Sequence, residues 1–330
     1  MRSTFEFQNS YILASSAVCG PMEGKGPLAS YFDVIYDDLY VGEKTWEKAE
    51  KKMLTDTAEL ALQKASLSKD DVGFYIAGDL LNQNIAASFS AYKLQLPFIG
   101  VYGACSTSML SLALGAALVN AGYVDNILTA VSSHNCTAEK QFRYPTEYGG
   151  QKPNTSQVTV TGAGACIVSK NSCLGLKISY ATFGKVIDFG IKNAFEMGQA
   201  MAPAAFHTIL THFKDTNRYP KDYDLIVTGD LATIGFEITK EMLEKEGFEL
   251  DGNFYDCGLM IYDKKQQIFA GGSGCASSAL VSYGYLLNQL LNGKYKRVLI
   301  VATGALLSLV SLQQGETIPC IAHAVAIEKV

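Results

Sequence analysis

Hydrophobic and polar positions along the chain form two kinds of run, short β-prone stretches and longer stretches with helical spacing. Residues 43–66 predict a helix, because apolar positions recur at helical intervals with Lys and Glu between them. Residues 98–102 predict a buried strand, and residues 109–119, almost wholly small or apolar, predict a helix buried on all sides. Strands that alternate with helices are typical of α/β layers with largely parallel sheets.

The same pattern occurs twice along the chain. Residues 72–80 resemble residues 223–231, since in each a β-prone run leads to Gly-Asp-Leu. Each copy is followed by a turn rich in Gly, Cys and Ser, at 103–108 and at 271–278, and then by an apolar helix and a strand. The matched order and nearly equal spacing predict two similar halves.

We expect the two halves to span residues 1–170 and 171–330 and to be fused, because no low-complexity or linker segment separates them. The most irregular stretch, about 135–158, predicts a long loop in the first half. A loop of this length inside a compact domain is usually a lid or an interface.

Composition excludes several classes of protein. A net charge of −5 gives no general attraction for nucleic acid. No stretch is long and apolar enough to predict a membrane span, and the N-terminus lacks the order of a signal peptide. The cysteines form no C-x-x-C pair, so we expect reduced thiols in an intracellular protein. The scattered histidines predict no metal site.

Cys105 follows a predicted strand and precedes a predicted helix. At a helix N-terminus, free backbone N–H groups and the helix dipole favour a thiolate. Such a position can present a nucleophile, or it can form a cradle for an anion. The alternative is that Cys105 is one more buried small hydrophobic residue. The local sequence leaves these possibilities open.

Three segments resemble condensing enzymes of the thiolase superfamily. Residues 103–106 resemble the nucleophile segment of β-ketoacyl synthases, and residues 161–165 resemble their glycine-rich strand entry. Residues 319–323 resemble the C-terminal Cys-Ile-Gly-Gly segment of thiolases, with Ala322 and His323 in place of the glycines. The resemblance implies an α/β thiolase-like fold of two pseudo-duplicated βαβαβ halves in a layered α-β-α-β-α arrangement.

A closer resemblance spans essentially the whole chain. Residues 77–84, 142–153, 256–262 and 302–308 are similar to the stage V sporulation protein AD family of endospore-forming bacteria. The resemblance implies a non-catalytic protein that binds dipicolinic acid and supports its uptake into the developing spore. It further implies a peripheral position on the cytoplasmic side of the inner forespore membrane, with other stage V membrane-complex subunits as partners. The resemblance to thiolase-like folds, which are usually dimeric, implies a homodimer.

The departures from condensing enzymes bear on catalysis. Those enzymes place a histidine after the second-half strand and a histidine or asparagine in the second glycine turn. This chain has Asp230 and Ser273 there, so a base for carbanion formation is not expected. The alternative is a thioester acyltransferase or condensing enzyme that uses Cys105 with His323 or His134. A third hypothesis is a purely structural subunit.

Dipicolinate is a planar pyridine with two carboxylates, and its recognition needs cationic or N–H donors and an apolar face. The predicted ligand-binding residues come from the turn, the long loop, the strand ends and the C-terminus: Asp79, Cys105, Ser106, Arg143, Tyr144, Lys152, Asp230, Ser273 and His323.

Each of these residues also has a simpler interpretation. Arg143 could pair with Glu147, Lys152 could be solvated, and His323 could lie in the core. Asp79 and Asp230 could cap the helices that follow them. An aspartate beside a dianion is unfavourable without a proton, a cation or a water between them. Calcium bridging suits oxygen ligands, so whether the ligand arrives as its calcium chelate stays open; no other cofactor is predicted.

Overall fold

The computed structural model describes residues 2–142, 152–250 and 252–330. Its strands are β1 Thr4–Glu6, β2 Tyr11–Cys19, β3 Val34–Ile35, β4 Phe74–Gly78, β5 Phe98–Gly100, β6 Asn126–Ser133, β7 Val158–Thr159, β8 Gly162–Ser169, β9 Leu176–Phe183, β10 Leu225–Thr228, β11 Phe254–Asp256, β12 Gly272–Ser273, β13 Arg297–Ala305 and β14 Cys320–Lys329.

The helices are α1 Trp46–Ala65, α2 Ile85–Leu94, α3 Thr107–Asn120, α4 Asn135–Phe142, α5 Met197–Thr216, α6 Ala232–Lys245, α7 Cys257–Met260, α8 Cys275–Ala279, α9 Leu287–Leu291 and α10 Leu309–Gln313. A π-helical segment, Leu280–Leu286, joins α8 to α9. No helix in the described ranges combines the length and the apolar character needed to cross a membrane.

The strands form one large sheet with two similar halves. Its order is β11-β10-β13-β14-β9-β2-β8-β6-β4-β5, with β1 beside β9 and β3 beside β2. On either side of the centre the same sequence of parallel and antiparallel pairs recurs: β4 is parallel to β5 and β6, and β10 is parallel to β11 and β13. The halves join at the centre through a single paired position, Tyr11 with Lys177.

The predicted repeat is therefore present in the element order. The first half runs β2, α1, β4, α2, β5, α3, β6, β8, and the second runs β9, α5, β10, α6, β11, α8 to α9, β13, β14. The Gly-Asp-Leu copies lie at the ends of β4 and β10, Cys105 precedes α3, and Cys275 is the first residue of α8. Cys105 and Cys275 thus occupy equivalent positions.

Alternate residues along the strands face different helical layers, which gives the five-layered arrangement. In β4, Tyr75 and Ala77 pack with α1 and α2, whereas Ile76 packs with α3. In β13, Leu299 packs with α5 and Ile300 with the central helices. The central helices lie between the two halves of the sheet, so both of their faces meet apolar strands. This explains why residues 109–119 lack a polar face.

Three expectations were wrong in detail. The sheet is mixed, because β8 and β14 return beside β6 and β13 as antiparallel strands. Strand β5 is an edge strand with Phe98 exposed, since β4 is its partner and the described chain places no strand on its other side. The first part of the expected loop, residues 135–142, is helix α4; residues 143–151 lie outside the described ranges.

Candidate functional site

A cavity of about 250 Å³ lies between the two halves, beside Cys105. Both halves contribute to its wall, and most of the wall is apolar. The lining residues that matter below come from the cysteine turn, from α4, from β7 and β12, and from the start of α5: Tyr102, Cys105, Glu139, Thr159, Ser273 and Phe195. The short parallel pair β7–β12 closes one side.

A sharp turn brings Cys105 to the cavity. Ala104 adopts a left-handed conformation with φ of 50°, which is unfavourable for a residue with a side chain and so depends on the surrounding packing. The Ser106 hydroxyl donates to the carbonyl of Gly103 at 2.6 Å. Thr107 Oγ1 donates to the carbonyl of Ala104, also at 2.6 Å. Ser106 therefore stabilises the turn, and its hydroxyl is already occupied.

The thiol of Cys105 lies beside the carboxylate of Asp230, from the other half, and the two side chains influence each other's pKa. Burial raises the pKa of the Cys105 thiol well above 9.0, and the negative charge of Asp230 raises it further. The expected preference for a thiolate was therefore wrong, because a buried sulfur beside a carboxylate outweighs the helix N-terminus. The proton stays on the sulfur at neutral pH.

Asp230 is almost fully buried and accepts two hydrogen bonds. Its Oδ1 accepts from Thr303 Oγ1 at 2.5 Å, and its Oδ2 accepts from the Gly274 N–H at 3.1 Å. Burial raises the pKa of Asp230 to about 6, although these donors favour the ionised form. The carboxylate therefore titrates close to neutral pH.

The equivalent residue Asp79 is used differently. Its Oδ1 accepts from the Leu81 N–H and its Oδ2 from the Ala87 N–H, each at 2.8 Å. It caps the turn and helix α2. Neither Asp79 nor Asp230 is among the residues that line the cavity. In the second half Asp256 accepts from the N–H groups of Leu231 and Ala232 instead. Asp230 is thereby released to face Cys105.

Ser273 lies on the cavity wall, as expected from its turn. Lys152 lies at the same site through an ion pair, since its Nζ is 2.8 Å from Oε1 of Glu139, which lines the cavity. Both partners are partly buried, which places a cation near an otherwise apolar wall. Arg143 and Tyr144 lie outside the described residues and stay predictions.

Neither candidate catalytic histidine lines the cavity. His134 is buried, with its Nε2–H donating to the carbonyl of Leu39 at 2.8 Å and its Nδ1 accepting from the Cys136 N–H at 3.1 Å. The Nδ1 of His323 accepts from the Gly184 N–H at 3.3 Å. Burial lowers the pKa of His323 to about 4, so it is a neutral core residue.

Sequence reasoning missed several residues of the site. Thr303 lies on β13, and Phe195 and Met197 lie just before α5 and at its first residue, far from Cys105 along the chain. Tyr102 could have been predicted from the sequence as a site residue, because it lies three residues before Cys105, where the strand leads into the turn. Among described residues, no group of three or more His, Cys, Asp or Glu side chains could hold a metal ion.

The fold and the chain match known proteins. The 3-oxoacyl-[acyl-carrier-protein] synthase III of Aquifex aeolicus superposes with a TM-score of 0.60 at 15% identity, covering 97% of this chain and 99% of that one. A variant of OleA from Xanthomonas campestris gives a TM-score of 0.62 at 14% identity, covering 98% of each chain. These likenesses confirm the thiolase-like fold.

The sequence itself matches more closely. Stage V sporulation protein AD of Bacillus subtilis is 51% identical over 329 residues, which is 99% of this chain and 97% of that protein. The model of the Stage V sporulation protein AD (SpoVAD) family matches residues 1–328. With agreement at this level over the full length, the chain belongs to the stage V sporulation protein AD family.

Proposed function

We propose that the cavity beside Cys105 binds dipicolinic acid, and that the protein supports uptake of this acid into the developing spore without catalysing a reaction. The family gives the sporulation role. The single observation that carries the rest is the contact of the Cys105 thiol with Asp230. The group beside the Cys105 thiol is a carboxylate, which is too weak a base to activate the thiol as a nucleophile.

The difference in proton affinity between Asp230 and the Cys105 thiol opposes catalysis. The pKa of Asp230 is about 6, whereas that of the Cys105 thiol lies well above 9.0. Transfer of the thiol proton to Asp230 is therefore strongly uphill, and the reactive thiolate stays scarce. His134 is hydrogen-bonded to the carbonyl of Leu39, and His323 accepts from the N–H of Gly184. Neither histidine is therefore available as a base for Cys105.

The cavity also suits a small ring. A volume of about 250 Å³ is small for a ligand site and favours a single-ring acid over a long acyl chain. Aromatic side chains of Tyr102 and Phe195 on the wall would contact the pyridine face. Lys152 would exchange its Glu139 partner for a ligand carboxylate, and the backbone of the cysteine turn would provide N–H donors.

We propose one face of the first half as the interface of the expected homodimer. Residues Ile85, Phe89, Tyr92, Phe98 and Tyr102 are exposed and lie on α2, on edge strand β5 and just after it. Residues 82–102 contain one charged residue, Lys93, whereas the equivalent helix α6 carries five. The two equivalent helices thus differ in their number of charged residues, and the scarcity of charge on α2 is typical of the core of a protein interface.

A second copy of the chain is the occupant that this face fits. Strand β5 has a free edge in the described structure, and an edge strand can pair with its own copy about a two-fold axis. The dimer would continue the sheet from one protomer into the next.

We further propose that the protein acts at the inner forespore membrane as a peripheral partner of other stage V subunits.

Dipicolinate binding is expected to be saturable, with one ligand per chain by titration calorimetry. Lys152→Gln is expected to weaken binding about tenfold or more, because it removes a charged hydrogen bond. Lys170→Gln is the matched control, since Lys170 forms an ion pair with Asp125 at a distant surface site. Undiminished binding by both Lys152→Gln and Cys105→Ala would rule out this site.

Cys105 is expected to resist acylation and alkylation at pH 7.5. Intact-protein and peptide mass spectrometry after incubation with acetyl-CoA should show no adduct on Cys105, and iodoacetamide should label exposed Cys173 first. Asp230→Asn should speed Cys105 labelling, because loss of the negative charge lowers the thiol pKa. An acyl adduct on wild-type Cys105 would instead support the enzyme hypothesis.

The dimer prediction is tested with two tyrosines of equal exposure. Tyr92 and Tyr123 are each 75% exposed, but only Tyr92 lies on the proposed face. Light scattering after size exclusion should show a dimer for the wild type and for Tyr123→Glu, and a monomer for Tyr92→Glu. A wild-type monomer, or equal effects of both substitutions, would contradict the assignment.

A further inference from the structure

Helix α4 separates the cavity from helix α1. Ala138, Glu139 and Phe142 line the cavity. Thr137 and Lys140, three positions apart and so on one side of the helix, both contact α1. At 100° per residue this side lies opposite the one that lines the cavity. Helix α4 therefore has the ligand site on one side and α1 on the other.

Two contacts one helical turn apart join α4 to α1. Thr137 Oγ1 donates to Oε2 of Glu50 at 2.6 Å. Lys140 forms an ion pair with Glu47. Glu50 is fully buried, whereas the side chains of Lys140 and Glu47 are 54% and 36% exposed. An exposed ion pair contributes little, but removing one partner of a buried hydrogen bond leaves the other unsatisfied. The Glu50 contact is therefore the one that can hold α4 in place.

Glu50 also connects α4 to the strand that precedes it. Its Oε1 accepts from the Ser132 hydroxyl at 3.1 Å, so one carboxyl contacts both β6 and the first turn of α4. Between these two positions the chain turns at His134, whose carbonyl oxygen lies 3.0 Å from Thr137 Oγ1. Glu50 thereby fixes the direction in which α4 leaves β6.

We propose that Glu50 is a positioning residue for the dipicolinate site, which holds α4 against the cavity without contacting the ligand. The inference rests on the proposed function and adds to it the residue that keeps one wall of the site in place. Oε1 of Glu139 is 2.8 Å from Nζ of Lys152, so a displacement of α4 moves the cation as well. Affinity then depends on the fraction of molecules in which α4 is docked.

Titration calorimetry of the full-length protein with sodium dipicolinate compares two glutamates of the same helix. Glu50→Ala is expected to bind about tenfold more weakly, which corresponds to a docked α4 in about one molecule in ten. Glu50→Gln should bind as the wild type does, because the amide keeps a donor and an acceptor for the two hydroxyls. Glu47→Ala, the matched change at the exposed contact, should weaken binding by no more than about twofold.

Hydrogen exchange measured by mass spectrometry separates positioning from general stabilisation. In Glu50→Ala the amides of residues 135–142 should exchange faster, while those of β6 and α3 keep their wild-type rates. Saturating dipicolinate should restore the protection of α4. Thr137→Val and Thr137→Ser repeat the comparison from the other side of the contact, with weaker binding expected only for the valine. Because these changes nearly conserve volume, they keep the test decisive if Glu50→Ala fails to fold.

Three results would overturn the inference while leaving the proposed function intact. They are undiminished binding by Glu50→Ala or Thr137→Val, equal losses in Glu50→Ala and Glu47→Ala, and faster exchange along the whole chain instead of in α4. A wild type without saturable binding would overturn the proposed function itself. The exchange rates of α4 would then still decide whether Glu50 holds this helix.

Discussion

The close approach of the two halves at the cysteine turn is the constraint on which the site depends. A Cβ at Gly304 would lie 2.2 Å from the carbonyl oxygen of Gly103, so only glycine fits there. Around this contact, Cys275 Sγ donates to the Ala104 carbonyl at 3.1 Å, and the hydroxyls of Ser108 and Ser278 lie 2.6 Å apart. These contacts hold Cys105 against Asp230 across the boundary between the halves.

The internal duplication explains why a fold shared with condensing enzymes has an aspartate, Asp230, beside Cys105. Equivalent strand ends give each half an aspartate, and equivalent turns give each half a cysteine. The halves then differ in one respect, because Asp256 caps the second-half helix and Asp79 caps its own. Burial and the freed Asp230 together raise the pKa of the Cys105 thiol, so the sulfur stays protonated.

The sequence allowed the thiolase-like fold and the internal repeat to be predicted. Helical and strand periodicity are local properties, and the repeat supplied the long-range order. Burial was harder to predict: Phe98 is apolar but lies on an edge strand, because neighbours in a sheet are set by topology. The state of the Cys105 thiol could not be predicted, since its pKa depends on burial and on Asp230, more than a hundred positions away.

The partners of charged and polar side chains were also beyond local sequence. Asp79 and Asp230 share the same tripeptide, yet their contacts differ through Asp256, which no spacing rule indicated. By residue type alone His323 and His134 are candidate bases, but in the structure their rings are buried among carbonyl and amide groups. The wall residues from the start of α5 carry no motif, and three-dimensional packing alone brings them to the cavity.

A crystal structure of the protein with dipicolinate tests the central claim most directly. We expect the ligand in the cavity between the halves, with one carboxylate within hydrogen-bonding distance of Cys105 Sγ and no covalent bond between ligand and sulfur. Asp230 should keep its contacts with Thr303 and Cys105. Ligand bound elsewhere while this cavity stays empty, or a covalent adduct on Cys105, would contradict it.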